Sequence, residues 1–164
     1  MKINFLAGLA CCLLLSSCSE RRDVDEMTQH FQLHQDKFKQ LAAAACSLKA
    51  TLNTKFHRYD INTAEQYPAE LAPLLKQLDQ LLADVDKEDM ALLQEGTAEC
   101  SLIVTEWSSF FAGEGAYMAY SYQPAVIAEF NPDIHMEGKR STTEKIYFTK
   151  ALAYGWYIEY LKQP

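Results

Sequence analysis

Between Met27 and Leu52 eight positions recur at alternating spacings of four and three: Met27, Phe31, His34, Phe38, Leu41, Ala45, Leu48 and Leu52. Residues three and four apart share one face of a helix, so the spacing predicts a long helix over about Val24 to Asn53. Asp23 or Asp25 can serve as its N-cap. Such a helix must cover its apolar stripe. The heptad spacing would suit a coiled coil, but the seam holds a His and an Ala. Ala42 to Ala45 suits close packing against a neighbour instead, so a core helix is expected.

Phe56 to Tyr67 reads as a connector. Pro68 then opens a second helix, in which Leu71, Leu74, Leu75, Leu78, Leu81, Leu82 and Val85 form one stripe. Pro73 is tolerable near that helix start and makes its first turn irregular.

After residue 95 the chain changes character. Thirteen of the 19 aromatic side chains lie between Trp107 and Tyr160, so that region favours strands. "CSLIVTEW", "GEGAYMAYSY", "KIYFTK" and "GWYIEYL" are the strand candidates. Met118, Tyr120 and Tyr122 alternate with Tyr117, Ala119 and Ser121, while Trp156, Ile158 and Tyr160 share one face. Gly113-Glu114-Gly115 precedes a strand-like run rather than a helix, which fits a hairpin turn and not a dinucleotide loop. Asn131-Pro132-Asp133 marks another turn. The expected fold class is α+β: two N-terminal helices packed on a C-terminal antiparallel β-meander of about four strands. Ser141 to Glu144 is a capping-box pattern, and Ile146, Lys150, Ala153, Tyr157 and Tyr160 fit helical spacing, so an all-α fold stays open.

The N-terminus carries an address. Lys2 precedes an almost wholly apolar run from Ile3 to Leu15. That run is shorter than the roughly 20 residues a spanning helix needs and matches a signal-peptide core. It ends in Leu15-Ser16-Ser17-Cys18, which resembles the lipobox of bacterial lipoproteins. The resemblance implies cleavage before Cys18, lipidation of its sulfur and acylation of the new amine. Three acyl chains would make a lasting anchor, since each buried methylene adds about 0.8 kcal/mol. Ser19, where an Asp would favour the inner membrane, implies the outer membrane, periplasmic face; the inner membrane's periplasmic face is the alternative. The division expected is 1–17 signal peptide, 18–25 tether and 26–164 a single periplasmic domain. No family resemblance covers the domain itself.

Loss of Lys2 with the signal takes the formal net charge from −7 to −8. An acidic domain is a poor partner for nucleic acid or for electrostatic docking on anionic lipid. Attachment to the membrane would run through the lipid. Cys11 and Cys12 leave with the signal, so Cys46 and Cys100 remain as a disulfide candidate in an oxidising compartment; two separate buried thiols are the other reading.

Asp84, Asp86, Glu88 and Glu95 stand at positions 1, 3, 5 and 12 of a calcium-loop pattern. Asp89 occupies the position that wants glycine and Ala91 the one that wants a branched residue, so an acidic helix end or loop is expected. His30 and His34, with Glu26, share a helix face and could touch zinc, but a third ligand is not evident. No metal site and no cofactor are expected. GxSxG, SxxK, Walker A, CxxC and HExxH are all missing from the sequence.

Tyr117, Tyr120, Tyr122, Tyr154, Trp156, Tyr157 and Tyr160 exceed what the core of one small sheet needs. Alternation would send about half to an outer face, where they could stack on glycan rings or seat a protein. Tyr117, Tyr120, Tyr122, Trp156, Tyr157 and Tyr160 are the candidate partner-binding residues. The expected function is a non-catalytic envelope lipoprotein that binds a periplasmic protein or peptidoglycan. An envelope hydrolase with an unrecognised site and a small inhibitor or immunity-type protein are the alternatives. Oligomeric state is not legible. If Cys18 is the anchor, mass spectrometry finds lipid on the Cys18 peptide, and Cys18→Ser removes that mass and releases or mis-sorts the protein.

Overall fold

The computed structural model describes residues 21–95 and 98–164. Cys18 and the apolar run before it lie outside the described residues. Among the described residues no helix is long and apolar enough to cross a membrane.

The first helix, α1, is Val24–Leu52. Asp23 caps it: the Asp23 carboxylate accepts from the Asp25 and Glu26 N–H groups at 2.8 and 2.9 Å. Glu26 reaches back to accept from the Asp23 N–H at 2.8 Å, completing a reciprocal capping box. Of the eight seam positions, Met27, Phe31, Phe38, Leu41, Ala45 and Leu48 are buried, and His34 and Leu52 are half-buried. The helix is kinked at His34 (φ −116°, ψ 16°). The second helix, α2, is Ala72–Asp84, entered through two 3-10 turns with Pro73 in its first turn. Leu75, Leu78, Leu81 and Leu82 are buried, and α2 packs on α1.

The sheet has six strands, not four: β1 (Phe56–Asp60), β2 (Asp89–Glu95), β3 (Ala98–Phe111), β4 (Glu114–Tyr122), β5 (Ile146–Ala151) and β6 (Trp156–Gln163). Their order is β1-β2-β3-β4-β6-β5, with every neighbour antiparallel. The α+β class stands, and the helical reading of the C-terminal third does not. The Ser141 hydroxyl accepts from the Thr143 N–H at 3.3 Å, but the chain then runs straight into β5. The connector expected at Phe56 contains β1, an edge strand whose one buried side chain is Tyr59. The expected acidic loop contains β2, where buried Met90 and Leu92 alternate with half-buried Ala91 and Leu93. Nor is the sheet a plain meander, because β6 inserts between β4 and β5. The link from β4 to β5 carries one short turn, α3 (Pro132–His135).

Both helices lie on one face of the sheet. Phe38 of α1 sits between Tyr120 of β4 and Trp156 of β6, with ring centroids 4.7 and 5.1 Å away. The Trp156 indole donates to the Phe38 carbonyl at 3.2 Å and the Tyr120 hydroxyl to the Met27 carbonyl at 3.1 Å. These bonds satisfy polar tips that burial would otherwise penalise. In β3 a bulge between Thr105 and Trp107 breaks the alternation and brings Trp107 to the helix side.

Cys46 of α1 and Cys100 of β3 form a disulfide with Cα atoms 5.7 Å apart, across 54 positions of sequence. It ties the C-terminal half of α1 to the start of β3. A loop of that length stabilises by roughly 4 kcal/mol in the chain-entropy account. The oxidised chain should be two hydrogens lighter than the reduced one. The Cys46→Ala/Cys100→Ala double variant should lose about 3 kcal/mol in urea denaturation without loss of secondary structure. Two alkylatable thiols in the native protein would refute the bridge.

Candidate functional site

The aromatic set divides between the two faces of the sheet. Tyr120 and Trp156 are buried under α1, Tyr160 is buried beside Trp107 and Phe148, and Tyr122 is half-buried beside Trp156 with ring centroids 5.4 Å apart. These four point towards the helices, so they do not form an exposed row, contrary to expectation. The helix-side layer needs large side chains to fill the space between sheet and helix, and the largest ones fill it. Tyr117 and Tyr157 take the opposite phase and lie half-buried on the outer face.

On that outer face a cavity of about 400 Å³ opens between the sheet and the segment 124–126. Tyr117 of β4, Tyr147 of β5 and Leu161 of β6 wall it, and they are cross-strand neighbours in one row. Glu159 lies at the base, 7% exposed, and Glu95 of β2 and Lys145 stand at its rim. The Tyr117 hydroxyl donates to the Glu159 carboxylate. The strap that roofs the cavity is pinned at several points. The Ser101 hydroxyl donates to the Gln123 carbonyl at 2.7 Å, and the Tyr147 hydroxyl to the Val126 carbonyl at 3.0 Å. The Ala128 N–H meets the Thr149 hydroxyl at 3.1 Å, and the chain then runs beside β5.

Burial first, and then Glu159, push the Tyr117 hydroxyl far above its ordinary range. Burial, then the charges of Glu159 and Glu95, push Tyr147 up to about 12. Both phenols therefore remain protonated donors at neutral pH. The cavity thus offers aromatic walls, two carboxylate acceptors and one lysine. Sequence reasoning missed Glu159 and Tyr147, and read Glu95 only as a calcium-loop position. A signal for Glu159 was present: it shares the phase of Tyr157 and Leu161, opposite Trp156, Ile158 and Tyr160.

The two metal patterns are absorbed differently. Asp84 closes α2 and pairs with Lys37 at 2.8 Å, while Asp86 meets Arg22 at 3.1 Å. Glu95 stands at the far end of extended β2, so the residues do not wrap into a calcium loop. Glu26 serves the capping box. The His30 and His34 rings lie tilted by 35° with centroids 4.7 Å apart. No group of three His, Cys, Asp or Glu side chains is placed for a metal among the described residues.

His30 instead joins a buried polar cluster. Its Nδ1 lies 2.9 Å from the Tyr120 hydroxyl. Since that hydroxyl gives its proton to Met27, His30 donates from Nδ1, and its Nε2 is left as an unpaired acceptor. Asp86 stands 3.6 Å from Nε2, and Arg22 and Lys87 reach Glu106 at 3.3 and 2.6 Å. Burial above all, then the charges of Arg22 and His34, hold the imidazole down to about 4.

An unfolded histidine takes its proton near pH 6.5, and the folded one only near 4. Between those values the unfolded chain binds more protons, so stability falls as pH falls through that window. His30→Gln should remove about 1–2 kcal/mol of the loss between pH 7 and 5, read from urea midpoints at both pH values. His57 and His135, both lowered by burial, leave a residual slope. An unchanged pH dependence would contradict the burial of a neutral His30.

Comparison with protein-family models, with curated proteins and with solved structures finds no match for this chain. Function has to be read from the residues.

Proposed function

We propose that this chain is a non-catalytic envelope lipoprotein, anchored through Cys18, that binds a periplasmic partner on the sheet face opposite the helices. The carrying observation is the outer-face cavity, with Tyr117, Tyr147 and Leu161 as walls and Glu159 buried at its base. Aromatic faces stack on flat apolar surfaces, and carboxylates accept hydrogen bonds from hydroxyls or amines. Peptidoglycan offers sugar rings, hydroxyls and amines together, so it is the partner this chemistry fits best. An envelope protein that presents an apolar side chain beside a lysine or arginine is the second reading, favoured by the two carboxylates, Glu95 and Glu159, against one ammonium, Lys145, in the cavity.

Purified full-length protein should co-sediment with purified sacculi. Tyr147→Ala should weaken that binding about tenfold, in line with loss of one stacking wall. Phe56→Ala, on an exposed edge-strand site outside the cavity, should leave it unchanged. If sacculi are not bound, a photocrosslinker at position 147 should capture an envelope protein in cells. Binding that ignores Tyr147→Ala in both assays would overturn the outer-face reading.

A further inference from the structure

One end of the domain gathers the N-terminus of α1, the tip of the β3–β4 hairpin and the C-terminus of β6. The hairpin turns at Ala112 and Gly113, both at positive φ (52° and 93°), as a two-residue turn of the primed kind requires. Gly115 is needed beside it, since a Cβ there would lie 2.0 Å from the Ser109 carbonyl oxygen. The tip reaches beyond β2, which ends level with Thr105, and it carries Phe110 and Phe111, 45% and 88% exposed. Consecutive strand residues point to opposite sides, so no single patch of this domain could cover both rings.

Behind the tip, on the helix side, lies a cavity of about 420 Å³ walled by Trp107 and Tyr160. Each ring carries a guanidinium: Arg21 stands 5.1 Å from the Trp107 centroid and Arg140 4.5 Å from that of Tyr160. Among the described residues neither arginine has a carboxylate within 4.0 Å. Lys162 also lines the cavity and spends one donor on the Ser141 carbonyl at 2.8 Å. Of the acidic groups there, Asp23 caps α1 and Glu137 stands exposed, while Arg22 is committed to Glu106 and Asp86.

We propose that this end docks on the phospholipid bilayer, with Phe110 and Phe111 entering the interfacial layer and Arg21, Arg140 and Lys162 holding a lipid headgroup phosphate between Trp107 and Tyr160. The occupant follows from position. Arg21 is three residues after Cys18, so a lipid on Cys18 holds this end within roughly 10 Å of the bilayer surface. In that respect the proposal rests on the anchor reading. Aromatic rings and arginines are the side chains that favour the membrane interface. The domain's overall acidity rules out a broad electrostatic footprint, whereas one phosphate pocket needs only local charge.

The test uses full-length protein on vesicles of phosphatidylethanolamine and phosphatidylglycerol carrying brominated acyl chains. Tryptophan at the tip (Phe111→Trp) should show blue-shifted emission and be quenched at least about threefold more than tryptophan at the far end (Phe56→Trp). Arg21→Ala/Arg140→Ala should lower the docked-to-undocked ratio about tenfold. Equal quenching at positions 111 and 56 would overturn the proposal, whether or not Cys18 is lipidated. The mass of the Cys18 peptide reports the anchor separately. Calorimetry with inorganic phosphate distinguishes the source of the phosphate. Sub-millimolar binding that disappears in the double variant, with quenching unaffected by those substitutions, would assign the pocket to free phosphate and overturn the headgroup.

Discussion

The structure turns on Phe38. Its ring lies between Tyr120 and Trp156, on the neighbouring strands β4 and β6, and Trp156 also donates to the Phe38 carbonyl. This one contact sets which face of the sheet is inside, because it pulls the large aromatics of β4 and β6 under α1. The other phase of those strands is then left to line the outer face. Two closures keep α1 in register over it: the Tyr120–Met27 bond near its N-terminus and the disulfide towards its C-terminus. The outer-face cavity is therefore a consequence of how the inner face is packed.

Much of this was legible in the residues. The seam from Met27 to Leu48 named the buried stripe of α1, because a 29-residue helix repeats its spacing often enough to be read. The leucines of α2, the turn at Gly113 and the Cys46–Cys100 pair were legible for similarly local reasons. The strands β1 and β2 were not. Five residues with one buried ring give no visible alternation, and β2 follows directly on a run of acidic residues that obscures it. Strand order was also hidden, since insertion of β6 between β4 and β5 depends on a long link that folds back along the edge of β5. Alternation separated Trp156, Ile158 and Tyr160 correctly from Tyr157, but period two cannot say which set the helices cover. That is why four of the six candidate partner residues lie on the helix side.

Net charge concealed the most. The chain is acidic as a whole, yet the cavities at the two proposed sites differ in sign. Glu95 and Glu159 stand in the outer-face cavity with one lysine, and Arg21, Arg140 and Lys162 gather at the strand ends. These groups come from segments far apart in the chain, so only the fold sorts them. A composition argues about the average field of a molecule, while a ligand meets a local one.

The two proposed sites are geometrically compatible. The basic cavity and the phenylalanine tip lie at the ends of β3, β4 and β6, whereas the outer-face cavity lies on the flank of β4, β5 and β6. A domain resting on its strand ends would hold the strands away from the bilayer and leave that flank facing sideways. A partner parallel to the membrane could then reach it without displacing the anchor. Docking would also fix the orientation of the domain on the bilayer, so less orientational entropy would remain to be lost when the partner binds. The hairpin tip would then aim the binding face, with the lipid supplying the hold on the membrane.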